Sequence, residues 1–251
     1  MIFVTGDCHG NFKRFEPQIF IEQEDMSKED YVIICGDFGG IWTHDDNDPL
    51  ENLNMLFLED RNFTILFIDG NHENFDRLDA YPVEEWHGGK VHKIRDNVFH
   101  LMRGQVFNID GKKIFAFGGA SSHDIEGGIL ELNDPDFKEK SEIIVKNNQH
   151  YRINHHSWWE RELASEEEMN EGRKNLAQNN YNVDYIITHC CSSSTQEYFS
   201  NGGFKPDREN RYLEEIKQMT RYKKWFFGHY HNNRNINKKE IMLYEQIIRI
   251  S

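Results

Sequence analysis

Five apolar runs along the chain each end in a cluster of polar side chains. Ile2-Phe3-Val4 leads into Thr5-Gly6-Asp7-Cys8-His9-Gly10, and residues 31–35 lead into Gly36-Asp37-Phe38-Gly39-Gly40. Residues 63–68 end in Asp69-Gly70-Asn71-His72-Glu73. Residues 185–188 lead to His189, and Trp225-Phe226-Phe227 leads to Gly228-His229-Tyr230-His231. Short runs of this kind, without polar alternation, predict strands covered on both faces. The polar clusters then fall at the carboxyl ends of those strands, the edge of an open α/β sheet where ligands bind.

Helical patterns separate the early strands. Asp48-Pro49-Leu50-Glu51 predicts an N-cap, a proline at the first helical position and a capping-box glutamate, with Leu53, Leu56 and Phe57 following at helical spacing. Phe12, Phe15 and Ile19 share a second stripe, but Pro17 argues against one straight helix there. Asp110-Gly111 between two apolar runs predicts a two-residue hairpin and a second sheet, which residues 241–244 and 247–250 are expected to close. Ser165-Glu166-Glu167-Glu168 predicts a capped helix, and Asp207 opens another bearing Tyr212, Ile216 and Met219. Residues 133–164 show little periodicity and carry His150, His155, His156 and Trp158-Trp159. They read as an irregular loop excursion and a candidate lid, with an interface or neither role left open. No repeat, low-complexity tract or linker interrupts the chain, so residues 1–251 are expected to form one α/β domain.

Hydrophobic residues at 37% and charged residues at 29% fit a globular chain rather than a disordered one. The formal net charge of −14 argues against gripping a nucleic-acid polymer, which takes clustered Lys and Arg. A small phosphate ester, nucleotide-like esters included, escapes that objection because metal ions can meet its charge locally. No apolar run approaches the ~18–20 residues of a membrane helix. The first residues enter a strand without the basic n-region of a signal peptide, so the expectation is a cytoplasmic protein with no membrane partner. Cys8, Cys35, Cys190 and Cys191 form no CxxC pair and are expected to act as small buried hydrophobes.

The strand ends together supply Asp7, His9, Asp37, Asn71, His72, His189, His229 and His231. Carboxylate, imidazole and amide donors without a thiolate motif suit a divalent metal such as Mn²⁺, Fe²⁺ or Zn²⁺. Asp7 with His9, and His229 with His231, are spaced by two, which in extended chain points both members to one side. Leaving His72 aside, the donors outnumber the three protein ligands typical of one catalytic zinc, whereas two ions sharing a carboxylate would use them all.

In this order Asp7-Cys8-His9, Gly36-Asp37, Gly70-Asn71-His72-Glu73, Thr188-His189 and Gly228-His229-Tyr230-His231 resemble the five motifs of the calcineurin-like metallophosphoesterase superfamily, spanning residues 7–231. The resemblance implies a four-layer α/β/β/α sandwich with two mixed sheets and a di-metal site at the sheet edges. It implies one ion on Asp7, His9, Asp37 and His231, and a second on Asp37, Asn71, His189 and His229, with Asp37 bridging. His72 is the motif's non-ligand histidine, the expected proton donor. The implied activity is in-line attack of a metal-bridging hydroxide on a small phosphomonoester or phosphodiester. Manganese is the first choice of metal, with iron or zinc as alternatives.

The chain also departs from the superfamily's phosphoprotein phosphatases. Those carry a second Asp and an Arg shortly after Gly-Asp, where this chain reads Phe38-Gly39-Gly40, and an Arg before Gly-Asn-His-Glu, where it has Asp69. The sequence is closer to small bacterial-type phosphoesterases. Arg77, Arg103, Arg152 and Arg161 are candidates for the missing phosphate-recognising cation, Gly118–Asp124 for a pocket wall, and Trp158-Trp159 for a substrate cap. A phosphoprotein phosphatase or a nuclease is the alternative within the enzyme class. A catalytically silent interaction scaffold is the alternative outside it.

Overall fold

In the computed structural model, which describes residues 1–251, the first three apolar runs become parallel neighbours: β1 (Ile2–Thr5), β2 (Tyr31–Ile34) and β3 (Thr64–Phe67). β4 (Val83–Trp86), β5 (Gly89–Arg95) and β6 (Val98–Leu101) extend this sheet, β6 parallel to β3 and the other two antiparallel. The hairpin of β7 (Gln105–Ile109) and β8 (Lys112–Phe117) starts a second sheet. Its turn takes positive φ at Asp110 and Gly111, as a two-residue hairpin with right-handed twist requires. The short β9 (Ile129–Leu130) and β10 (Arg152–Ile153) pair only with each other. β11 (Tyr185–Thr188), β12 (Lys224–Phe227), β13 (Arg234–Asn235) and β14 (Glu240–Met242) complete the second sheet. β15 (Ile248–Arg249) returns to the first sheet, antiparallel to β1. The orders are β15-β1-β2-β3-β6-β5-β4 and β13-β14-β12-β11-β8-β7.

Alternation along the strands builds the layers. Ile2, Val4, Ile33 and Leu66 face inward and pack with Ile114, Ala116, Ile187 and Phe226 of the second sheet. Their neighbours Phe3, Val32, Ile34, Ile65 and Phe67 face outward, under Met55 and Leu58 of α1 (Pro49–Glu59) and Phe75 and Leu78 of α2 (Phe75–Leu78). On the far side Phe115, Phe117, Ile186, Trp225 and Phe227 lie beneath helices. After α3 (Phe137–Lys146), which buries little, α4 (Glu166–Gln178) and α6 (Arg208–Met219) supply Met169, Leu176, Tyr212, Leu213 and Ile216 to that layer. α5 (Ser193–Ser200) packs on α6. The result is the four-layer α/β/β/α arrangement with two mixed sheets.

Several local expectations change. α1 begins as expected, with Asp48 Oδ1 accepting from the Glu51 amide at 2.8 Å. The Glu51 carboxylate, however, turns to the Trp42 and Thr43 amides and to Arg77 instead of closing a capping box. The face of α1 that meets the sheet is Met55 and Leu58, while Leu50, Leu53 and Leu56 are all more than 60% exposed. The segment around Pro17 forms two short 3₁₀ turns, Lys13–Phe15 and Ile21–Asp25, with Ile19 left exposed. The two C-terminal runs part company, β14 joining the second sheet and β15 the first. The stretch 133–164 is not wholly irregular: it holds α3, β10 and a 3₁₀ turn at Glu160–Glu162. α3 escapes a periodicity reading because only Ile144 is buried, with Ile143 and Val145 exposed. No helix is long and apolar enough to cross a membrane.

Candidate metal centre

β1, β2 and β3 of one sheet and β11 and β12 of the other end at a common edge, and each carries its polar cluster there. The ligand atoms of Asp7, His9, Asp37 and His231 all lie within 4.8 Å of one another. His231 Nε2 is 3.2 Å from Asp7 Oδ2 and 3.0 Å from His9 Nε2, and His9 Nε2 is 3.7 Å from Asp37 Oδ2. The other oxygen of Asp37 is 3.3 Å from His189 Nε2, which is 3.2 Å from Asn71 Oδ1. Donors bonded at about 2.0–2.2 Å to one ion stand about 3.0–3.4 Å apart; the 3.0–3.3 Å separations match this, the His9–Asp37 one is wider, and the donor chemistry fits a divalent metal. Asp37 has one oxygen toward each group. His229 packs beside His189, ring centroids 5.0 Å apart.

The approach of these side chains depends on backbone that only small or strained residues supply. His9, Asp37, His229 and His231 all have φ between 46° and 67°. His9 Nε2 comes within 3.9 Å of Asp7 Oδ2, and His229 Nε2 turns to His123 while His231 Nε2 turns to Asp7; both two-residue spacings run through left-handed turns and not through extended chain. That conformation costs roughly 1–2 kcal/mol per non-glycine residue and collects at functional sites. Two glycines make room. A Cβ on Gly70 would lie 2.1 Å from Asp37 Oδ1, and one on Gly228 would lie 2.1 Å from Asp7 Oδ1.

Hydrogen bonds fix the donors from behind. The His229 amide donates to Asp7 Oδ1 and Oδ2 at 2.9 and 3.1 Å, and the His72 amide donates to Asp37 Oδ1 at 2.8 Å. His189 Nδ1 donates to the Cys35 carbonyl at 2.7 Å, which aims Nε2 at the site. Burial opposes charge on Asp37 and His189 alike, yet their contact outweighs it: the Asp37 carboxyl is held below the usual range and His189 is pushed up to about 10. His72 is half-buried at the edge of the group, its ring 5.1 Å from that of His9 and 5.7 Å from that of Trp42. Burial lowers its pKa, Asp37 works to raise it, and Arg152 lowers it further.

The description of calcineurin-like phosphoesterases matches residues 1–233. The chain belongs to that family. Among curated relatives, a lariat debranching enzyme of Danio rerio is 26% identical over 144 residues, covering 52% of this chain and 24% of that protein. Lariat debranching enzyme A of Xenopus laevis is 28% identical over 143 residues, covering 52% and 26%. One from Drosophila pseudoobscura pseudoobscura is 23% identical over 264 residues, covering 92% of this chain and 42% of that protein. The chain spans less than half the length of each of these relatives.

Around this candidate site, several side chains beyond the eight strand-end donors contribute. Glu73, fully buried, accepts from the Phe38 amide at 2.7 Å and so pins the loop that carries Asp37. Arg14 donates to Thr5 Oγ1 at 2.8 Å, to the Tyr244 carbonyl at 2.6 Å and to the Asp7 carbonyl, bracing the end of β1. His123, from the Gly118–Asp124 turn, places Nε2 2.8 Å from His229 Nε2, and Ser122 Oγ accepts from Asn71 at 3.4 Å. Only that turn's position after β8 signalled it. Of the four candidate arginines, Arg77, Arg103 and Arg161 are paired with Glu51, Asp69 and Asp79. Arg152 is paired with Asp124 but stays close enough to act on His72. Trp159 is buried in the core with Nε1 donating to Asp76 at 2.8 Å, so packing explains it, and Trp42 is the indole beside His72. All four cysteines are buried, and burial pushes the Cys8 thiol up to about 12.

Proposed function

We propose that this chain, as a single domain, is a two-metal phosphoric-ester hydrolase acting on a small phosphomonoester or phosphodiester. The observation that carries the reading is the convergence of Asp7, His9, Asp37 and His231 on one point, with Asp37 also reaching toward His189 and Asn71. The first ion would be held by Asp7, His9, Asp37 and His231, and the second by Asp37, Asn71, His189 and His229. Manganese suits this oxygen and nitrogen set, as do iron and zinc. Such ions supply Lewis acidity, acidifying water and neutralising charge on phosphoryl oxygens.

The protein's own groups account for the remaining requirements. The amides of His72 and His229 hold the Asp37 and Asp7 carboxylates at fixed angles, so the ester meets a preorganised site. His189 must release its Nε2 proton before that atom can serve as a ligand, so metal affinity rises with pH. His72 is the proton donor to the departing oxygen. Its depressed pKa belongs to the free protein, and the negative charge of a bound ester raises it toward the useful range.

A second reading, favoured by the debranching relatives, is that the ester lies within a nucleic acid. The net charge of −14 weighs for a small ester instead. The test is hydrolysis of p-nitrophenyl phosphate against bis-p-nitrophenyl phosphate after stripping metal and restoring Mn²⁺. Activity that returns with metal supports the reading, and the preferred ester separates phosphatase from phosphodiesterase. An oligonucleotide cleaved faster than both esters would move the assignment to the second reading. No metal-dependent turnover of any of them overturns both.

A further inference from the structure

A cavity of about 330 Å³ opens directly beside His229 and His231 and is used by none of the roles above. Its walls are aromatic: Phe199, Phe204 and Tyr230, with His123 between Phe204 and His229. Phe204 stacks on His123 with ring centroids 5.2 Å apart, and Phe199 meets Tyr230 edge-on at 4.7 Å. The Tyr230 hydroxyl accepts from Gln196 Nε2 at 3.2 Å and from Cys191 Sγ at 3.4 Å, so that wall is fixed before any ligand arrives. Arg234 stands exposed at the rim. Arg77, Arg103, Arg152 and Arg161 are all in ion pairs, whereas Arg234 has no carboxylate partner.

We propose that this cavity is a nucleoside subsite, and that the substrate is a nucleotide phosphodiester whose retained nucleoside occupies it. The proposal rests on the hydrolase reading and names the substrate class for the same site. Aromatic faces with a nearby guanidinium are the chemistry that binds a base attached to a phosphate. The volume lies at the small end of ligand sites, suited to one nucleoside and not to a folded polymer. His72 is not among the lining residues, so the group in the cavity is not the one His72 protonates. An ester filling both places carries two organic groups. Water adds to phosphorus, the bond to the departing oxygen breaks, and that oxygen leaves with a proton from His72. The nucleoside monophosphate stays behind, and the proton lost by water passes to solvent.

The test compares thymidine 5′-(p-nitrophenyl phosphate) with methyl p-nitrophenyl phosphate, two diesters with the same leaving group, on the Mn²⁺-loaded protein. Loss of one stacking partner is worth about tenfold to a hundredfold, so kcat/KM should favour the thymidine ester at least tenfold. Phe204→Ala should bring that preference near unity. Phe204→Leu, which keeps apolar bulk without the ring, should do the same if Phe204→Ala does not fold. Tyr198→Ala, on the exposed face of α5, should leave the preference intact. Equal rates for the two esters, or a preference that survives both Phe204 changes, would overturn the proposal. Equilibrium binding of thymidine 5′-monophosphate separates the two layers. Binding that depends on Phe204 without turnover of any ester keeps the subsite and rejects the hydrolase. Neither binding nor turnover rejects both.

Discussion

Replacing Gly228 by Ala probes the proposed centre through its packing and leaves every donor in the sequence. The added Cβ would stand 2.1 Å from Asp7 Oδ1, against about 3.4 Å for ordinary contact, and the Cys35 carbonyl 2.7 Å away blocks retreat toward β2. Asp7 must therefore withdraw by about 1.3 Å. That movement breaks its bonds from the His229 amide at 2.9 and 3.1 Å and opens its 3.2 Å approach to His231 Nε2. Metal sites tolerate displacements of roughly 0.2 Å, and a misplacement near 1 Å in a catalytic arrangement costs about 100-fold. The expected outcome is at least a 100-fold fall in metal-dependent hydrolysis of the preferred p-nitrophenyl ester, with metal content reduced in parallel. A thermal melt on the same sample establishes that the variant is folded. A folded Gly228→Ala protein with wild-type metal content and rate would refute the placement of Asp7 as a ligand.

Three further outcomes follow from named contacts. His72→Ala should retain metal while turnover falls about 10²–10⁴-fold, the usual worth of a positioned acid; metal loss in that variant would mean that His72 is itself a ligand. Glu209 is buried with only its Oε2 accepting a hydrogen bond, from the Ala164 amide at 2.8 Å, and burial raises its pKa to about 8. A carboxyl whose folded pKa exceeds its unfolded value near 4.3 holds its proton only in the native state between the two. Its stabilising share is complete below about pH 4.3 and is lost as pH rises toward 8, at about 1.4 kcal/mol per pH unit. Urea unfolding of Glu209→Gln should show a shallower decline over that window, and parallel profiles would contradict the assignment. Trp159→Ala should destabilise the fold by about 3–5 kcal/mol; an unchanged melt with a raised KM would restore a substrate-capping role for this residue.

The parts of the fold legible in the sequence are those where local pattern and tertiary role coincide. β1, β2, β3, β11 and β12 are short, apolar on both faces and punctuated by polar residues, because each lies between two packed layers. The α4 cap is equally plain, since Ser165 and Glu168 close a box within four residues. The parts that stay hidden depend on distant partners. α1 exposes Leu50, Leu53 and Leu56 because Met55 and Leu58 are the side chains that face the sheet. β15 is too short for its pattern to choose between sheets. Arg14, in a 3₁₀ turn, reaches the end of β1 only in the folded chain, and the 118–124 turn is legible as a pocket wall while the contact of its His123 with His229 is not. The left-handed turns at His9 and His231 are likewise invisible in a spacing of two, which suits extended chain equally well.

The central claim is that one carboxylate, Asp37, joins two metal ions in this chain. Native mass spectrometry of the metal-stripped protein titrated with Mn²⁺, run beside Asp37→Asn, tests it most directly. Two ions per wild-type chain, with both weakened together by the single substitution, is the predicted result. A wild-type chain that binds no ion, or an Asp37→Asn chain that still fills two places at wild-type affinity, would contradict it.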